Sequence, residues 1–305
     1  EKMHTIFILF FFIQTGVFSF HPRAIMQLRR NGLVSRSFDV NTLKLTEMDS
    51  NLSESLNEKP KKIGAAPDFA IANDSTEETP WQKALLSTHF LLFGWNVLNS
   101  LMQLDLTNVQ NIVAASMVLI FSIILGDFGT GVFHWSVDNY GSLKTPVFGS
   151  VCAAFQGHHK TPWTITFRSF ANNVFKITYA TIPFFLIMSV LSLHPLTKLF
   201  FSLFVNWWLV SQEFHKYSHM RDIPQFMKTL QNKGIILSRK EHGLHHNSPF
   251  EGHYCILTGV CNPILDNSLF FRHMERLVYK LTGNKPITWT EDEKIEQISM
   301  NTKLF

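Results

Sequence analysis

Residues 239–246 read RKEHGLHH, which places His242, His245 and His246 within five positions. On a helix, His242 and His246 lie on one face and His245 lies beside them, because residues four positions apart are neighbours on a helix surface. Neutral imidazole is the commonest metal ligand among side chains. The stretch therefore predicts a short helix that presents three metal ligands, and a polar surface cluster is the alternative.

Three further clusters upstream favour the metal site, and with them eight of the 14 histidines fall into four short groups. The upstream clusters pair residues that are adjacent or four positions apart: His134 with Asp138, His158 with His159, and His215 with His219. Scattered surface histidines would not collect beside apolar segments in this way. A zinc site takes only about four ligands in total, so eight imidazoles predict two metal ions.

Three carboxylates lie close to these histidines in the sequence: Asp138, Glu213 and Glu241. Each is a candidate metal ligand or a candidate hydrogen-bond acceptor for the N–H of a ligating imidazole. We expect Asp138 to be an acceptor rather than a ligand. Surface exposure is the alternative for Glu213 and Glu241.

The composition is that of a membrane protein, because 46% of the residues are hydrophobic and only 16% are charged, against about 25% in soluble domains. The apolar residues concentrate in four segments, each near the roughly 20 residues that cross a bilayer. They span about residues 84–104, 112–135, 174–193 and 196–210. Short polar breaks at 105–108 and 194–195 join them in pairs. The sequence predicts an all-α integral membrane protein with about four transmembrane helices in two hairpins.

This topology places all four histidine clusters on one face of the membrane, because the second and fourth segments end on the same side. Most of the lysines and arginines of residues 81–290 follow these two ends, so the positive-inside rule assigns the face to the cytoplasm or the stroma. The net charge is only +4, and no dense Lys/Arg stripe indicates nucleic-acid binding. The three cysteines form no C-x-x-C pair, which gives no support for a disulfide framework or a thiolate zinc site.

The N-terminal region is interpreted as a targeting sequence followed by a linker. Residues 1–39 combine a short apolar run with a basic stretch that has no acidic residue before Asp39, typical of a signal peptide followed by a plastid transit peptide. Ordinary secretion, or residence in the endoplasmic reticulum membrane, is the alternative. Residues 40–80 are polar and predict a disordered linker, residues 81–290 form the membrane domain, and residues 291–305 are a polar tail.

Nitrogen-rich sites suit iron, copper, zinc or nickel. A membrane location favours iron with O₂, because activation of an unreactive C–H bond needs an oxidant that zinc does not supply. A metal-binding or scaffold membrane protein without turnover is the alternative from another functional class.

Six sequence motifs around these residues resemble the lipid desaturase family. They are GVFHWSVDNYG at 131–141, FQGHH at 155–159, PWTIT at 162–166, FANN at 170–173, FHKYSH at 214–219 and SRKEHGLHHNSP at 238–249. The resemblance covers residues 81–289 and is stronger to the chloroplast branch, which acts on phosphatidylglycerol, than to the plasmanylethanolamine desaturases. Glu241 stands where the animal plasmanyl enzymes tend to carry another histidine, which weakens transfer of that activity.

The resemblance implies an enzyme with two iron ions, and the eight clustered histidines are its ligands. In the chloroplast branch such an enzyme uses O₂ to form a trans-Δ3 double bond in the palmitoyl chain of phosphatidylglycerol. Ferredoxin is the implied electron donor, with cytochrome b5 in its place outside a plastid. The alternatives are an ether-lipid (plasmanylethanolamine) desaturase and a related membrane hydroxylase.

Overall fold

The computed structural model describes residues 66–72 and 74–291. The predicted presequence, the first part of the linker at 40–65 and nearly all of the polar tail lie outside the described residues. Within the described part of the chain every regular element is helical, as the sequence predicts. The helices are α1 (Pro80–Met102), α2 (Val109–Asn139), α3 (Gly149–His158), a 3-10 helix (Pro162–Phe167), α4 (Phe170–Val190), α5 (Pro195–His219), α6 (Gln225–Asn232), α7 (Arg239–His245), α8 (Asn262–Asn267), α9 (Phe270–Thr282) and α10 (Ile287–Glu291).

Local sequence signals set the starts of the four long helices. Thr79 and Gln82 form a capping box at the start of α1, and Asn108 and Ser169 accept backbone N–H bonds at the starts of α2 and α4. Pro195 occupies the first turn of α5, where its missing N–H costs nothing. The helices therefore begin close to the polar breaks that the hydropathy pattern indicates.

The four long helices pack against one another, α1 with α4 and α5, and α2 with α5. Buried polar side chains join three of them: His89 on α1 contacts Thr181 of α4 at 2.7 Å and Asn206 of α5 at 3.2 Å. Two of the described helices, α2 and α4, are long and apolar enough to cross a membrane on length and composition.

Part of the predicted linker makes specific contacts with the helices. The backbone N–H of Asp68 donates to Thr164 Oγ1 at 2.9 Å, and Asn172 Nδ2 donates to the carbonyl of Glu77 at 2.9 Å. The described residues before α1 therefore run along the 3-10 helix and the start of α4.

A loop that follows α7 packs along the second half of α2. The Asp127 carboxylate accepts the backbone N–H groups of Thr258 and Gly259 through Oδ1, at 2.7 and 2.9 Å, and that of Cys261 through Oδ2, at 2.9 Å. A Cβ atom added to Gly131 would lie 2.5 Å from Cys255 Sγ and 3.3 Å from its backbone nitrogen. Glycine at position 131 is what allows the loop to approach the helix.

We expect Gly131→Ala to destabilise the protein by about 1–3 kcal/mol, because a buried methyl group would push the loop away from α2. The measurement is the thermal unfolding midpoint in detergent micelles. Gly94→Ala in α1 is the matched control, since a Cβ there meets no atom within 4 Å. Equal midpoints for both variants would contradict this packing.

Candidate metal centre

Five histidines from three helices converge on one point. Each offers one ring nitrogen, and these five nitrogens lie within 4.8 Å of one another. The group, called the five-histidine group below, consists of His158, His215, His219, His242 and His246. The Nε2 atom of His219 lies 2.8 Å from His158 Nε2 and 3.3 Å from His215 Nε2, and His242 and His246 face each other at 3.1 Å.

A second group, the Asp138 group, consists of Asp138 with His134, His159 and His245. Its centre is Asp138 Oδ2, which lies 3.2 Å from His134 Nε2, 3.3 Å from His159 Nε2 and 3.4 Å from His245 Nε2. The two groups adjoin, since the ring centroids of His245 and His246 are 5.5 Å apart and those of His134 and His215 are 5.7 Å apart.

Helical spacing delivers these side chains. The pairs at four positions, His134 with Asp138 and His215 with His219, lie in the last turns of α2 and α5 and each serves one group. Adjacent residues on a helix point in different directions, so each of two adjacent pairs contributes one residue to each group. These pairs are His158 with His159 at the end of α3, and His245 with His246 at the end of α7.

Two backbone carbonyls define the protonation of the imidazoles beside Asp138. The Tyr254 carbonyl lies 3.0 Å from His134 Nδ1, and the Gly252 carbonyl lies 2.8 Å from His245 Nδ1. A carbonyl only accepts, so each Nδ1 carries a proton, and in the neutral ring each Nε2 then presents a lone pair. Both Nε2 atoms lie within 3.4 Å of the Asp138 carboxylate, which is itself an acceptor, and His245 Nε2 also lies 3.2 Å from His159 Nε2.

Such a cluster of acceptors fits a metal ion. His134 Nε2 and both Asp138 oxygens are buried without a hydrogen-bond partner, an arrangement that costs free energy unless a cation lies among them. Metal bonds of about 2.0–2.2 Å hold neighbouring ligand atoms about 3 Å apart. The shortest separations within the two groups, 2.8 to 3.4 Å, match that requirement, and no two ligand atoms of a group lie more than 4.8 Å apart.

Burial keeps the imidazoles in the form that binds metal. Desolvation lowers the pKa of His158 and of His242 well below the usual value, and the neighbouring His215 lowers both further. Desolvation, followed by the neighbouring His245, lowers the pKa of His246 to about 2. These rings are therefore neutral at any pH near 7, and their lone pairs are available without loss of a proton.

The other two carboxylates singled out in the sequence lie outside both groups. Glu213 pairs with Lys216 and accepts a hydrogen bond from Asn173 Nδ2 at 3.0 Å. Glu241 lies beside His253, with 3.5 Å between its Oε2 and the ring Nδ1. The structure thus brings together all eight clustered histidines with Asp138 alone of the three carboxylates.

Sequence reasoning missed the groups that orient the ligands. The carbonyls of Gly252 and Tyr254 are backbone groups. Because every residue has a backbone carbonyl, the residue types at these positions do not predict this role. The contact of the Phe155 ring with His134, edge-on with 5.2 Å between centroids, was also not predicted. Its position three residues before His158 was the available signal, since that spacing returns to nearly the same helix face.

Residues 123–289 match the lipid desaturase domain, and this range contains both groups and the two orienting carbonyls. The chain belongs to the lipid desaturase family. It is 41% identical over 174 residues to fatty acid desaturase 4, chloroplastic, of Arabidopsis thaliana, an alignment that covers 55% of this chain and 53% of the relative. It is 33% identical over 228 residues to fatty acid desaturase 4-like 2, chloroplastic, of the same plant, covering 72% and 80%.

The family also reaches animals: plasmanylethanolamine desaturase 1 of Mus musculus is 32% identical over 175 residues, with 53% of this chain and 64% of the relative covered. The chain spans little more than half the length of several curated relatives that it matches. No solved structure matches this chain.

We expect Asp138→Asn to lower metal affinity at least about tenfold, the lower end of the losses seen when a metal site's supporting groups are changed. The amide would donate N–H bonds to the bare nitrogens of His134 and His245, which removes the need for a cation. The same change should raise the unfolding midpoint of the metal-free protein. The measurements are metal content by mass spectrometry and thermal unfolding with and without chelator.

Glu241→Gln is the matched control, because it neutralises a carboxylate outside both groups. Unchanged metal content and an unchanged metal-free midpoint in Asp138→Asn would mean that Asp138 does not face a cation.

Proposed function

We propose that this protein is an O₂-dependent desaturase that uses two iron ions to introduce a double bond into the acyl chain of a membrane phospholipid. One observation carries the proposal: in a chain of the lipid desaturase family, buried and half-buried side chains gather their nitrogen and oxygen ligand atoms into two adjoining groups. The five-histidine group would hold one ion and the Asp138 group the other. This assigns Asp138 as a ligand, in place of the role expected from sequence.

Bound iron would supply the oxidant, derived from O₂, that removes hydrogen from an unactivated C–H bond. The overall conversion takes one hydrogen from each of two adjacent CH₂ groups. With two electrons from a donor and two protons from solvent, both oxygen atoms of O₂ leave as water. A redox donor is therefore an obligatory partner.

The protein's own groups orient the ligands and keep water away. The carbonyls of Tyr254 and Gly252 hold the rings of His134 and His245 with Nε2 towards the centre. Phe155 contacts the rings of His134 and His215, one from each group, and Phe133 packs against Phe155 with 6.0 Å between centroids. These aromatic rings form an apolar side of the centre that suits an acyl chain.

We infer that α1, α2, α4 and α5 all cross the bilayer, with the metal centre on the stromal or cytoplasmic side. The apolar lengths of α2 and α4 support this, as does the position of the ligands in the last turns of α2 and α5. A centre at that depth lies near the ester end of a phospholipid chain, where a Δ3 bond would form. The remaining domain assignments, a presequence at 1–39, a linker and a polar tail, stay predictions.

The substrate we propose is the palmitoyl chain of phosphatidylglycerol, the product its trans-Δ3 form, the compartment a plastid and the donor ferredoxin. The support is the presequence composition together with 39–41% identity to relatives named chloroplastic fatty acid desaturases. Plasmanylethanolamine desaturation is the second candidate, favoured by 31–32% identity to enzymes of that name. In the endoplasmic reticulum the donor would be cytochrome b5.

The test is the lipid profile of a plastid-bearing host that lacks the trans-Δ3 palmitoyl chain, after expression of the full chain. We expect a new trans-monounsaturated C16 chain confined to phosphatidylglycerol, and its complete absence with His245→Ala, which removes a ligand. His273→Ala, an exposed histidine outside both groups, is the control and should retain the product. An acid-labile vinyl ether would identify the second candidate instead, and an unchanged profile with iron bound would contradict desaturation.

A further inference from the structure

The C-terminal part of the metal-binding fold is attached to α2 at one level. Asp127 accepts three backbone N–H bonds from residues 258–261, and the Phe270 ring packs on Phe128 with 5.6 Å between centroids. Helix α8 and the start of α9 therefore lie at the level of Asp127. That level is seven residues before His134, about 10 Å along the helix axis.

The exposure of α2 side chains changes at the level of Asp127. Eight large apolar side chains between residues 109 and 124 are exposed, whereas residues 129–139 are almost all buried. The 16 residues of the exposed run measure about 24 Å, close to the hydrocarbon thickness of about 30 Å. If α2 crosses the bilayer, Asp127 therefore lies at the boundary between hydrocarbon and headgroups.

Exposed apolar side chains continue from α2 onto α8 and α9. Cys261 Sγ contacts the Ile124 carbonyl at 3.5 Å, which joins the two surfaces. Ile264 on α8 is 73% exposed and Leu281 on α9 is 65% exposed, both without an apolar cover. The large apolar side chains exposed on this segment are Val260, Ile264, Leu269, Leu277 and Leu281.

Helix α9 separates its side chains into distinct faces. Phe271, Glu275 and Val278 are buried against the protein. Residues 270, 274, 277 and 281 follow the 4-3-4 spacing of a single apolar stripe on a neighbouring face. Lys280 and His273 are exposed beyond this stripe. A helix with this division is suited to lie at a membrane interface.

We propose that α8 and α9 are seated in the lipid bilayer, with Ile264, Leu277 and Leu281 inserted into the leaflet on the metal side. The occupant of this apolar surface is lipid, because the surface is continuous with the exposed apolar run of α2. The proposal rests on the proposed membrane crossing of α2. It adds a membrane contact that none of the four long helices provides.

Contact of α8 and α9 with the lipid would affect the metal centre through the loop that precedes α8. The loop that supplies the Gly252 and Tyr254 carbonyls leads directly into the segment held by Asp127. Seating α8 and α9 in the leaflet would therefore hold the orienting carbonyls at a defined height above the hydrocarbon. That height sets how far along its chain a phospholipid meets the ligands.

The test measures the depth of nitroxide labels on the full chain, carrying Cys261→Ser, in phosphatidylcholine–phosphatidylglycerol vesicles. Labels are placed singly at Ile264→Cys, Leu277→Cys and Leu281→Cys. Collisions with O₂, which concentrates in lipid, should exceed collisions with a water-soluble nickel chelate at all three positions. A label at Lys280→Cys, one residue from the stripe, should show the reverse and is the matched control.

A label at Ile120→Cys on α2 separates the two proposals. If this label is in lipid while the three test labels respond like Lys280→Cys, the seating of α8 and α9 is wrong and the crossing of α2 stands. If Ile120→Cys also responds to the nickel chelate, the membrane crossing fails and the seating fails with it. Dipolar broadening between labels at position 277 would mean that a second copy of the chain covers the stripe, which also overturns the proposal.

Discussion

The fold depends on a cluster of acceptors that repel one another unless positive charge lies between them. Asp138 Oδ2 lies within 3.4 Å of three imidazole nitrogens, and in two of these rings the other nitrogen donates to a backbone carbonyl, so the neutral ring turns a lone pair towards Asp138. Five more imidazoles adjoin this group, two of them buried and three half-buried. In a medium of low dielectric such an arrangement is costly without a cation and strongly favourable with one.

The rest of the architecture serves to hold that cluster. The long helices α2 and α5 each contribute a pair of candidate ligands from their last turns. The short helices α3 and α7 close over them with the remaining histidines, and Ser238 caps α7 by accepting the N–H of Glu241. The carboxylate of Asp127, deep in α2, fixes the loop whose carbonyls orient two of the rings. Each of these contacts restricts a candidate ligand, so an ion bound by the two groups would have to create little order.

Periodicity made much of this predictable. The i, i+4 pairs of His134 with Asp138 and of His215 with His219 imply shared faces, and RKEHGLHH folds as the short helix that its spacing predicts. The partition of His158 and His159 between two groups was not predictable, because it depends on how α3 meets α5 and α7 in three dimensions. The contacts of Asp138 were unpredictable for the same reason. His134 alone lies near it in the sequence, whereas its other two imidazole neighbours, His159 and His245, come from distant segments. The orienting carbonyls and the contacts of Asp68 and Glu77 are made by backbone groups, so no pattern of side chains in the sequence predicts them.

The most direct test of a centre for two iron ions is X-ray absorption at the iron edge on the full chain after anaerobic iron loading, with metal content measured on the same sample. A centre built from the two groups predicts two iron ions per chain and a first shell of nitrogen and oxygen without sulfur. His219→Ala, which changes the five-histidine group alone, should lower the content to one iron per chain. One iron per chain in the unaltered protein, or sulfur in the first shell, would contradict a centre built from two adjoining groups.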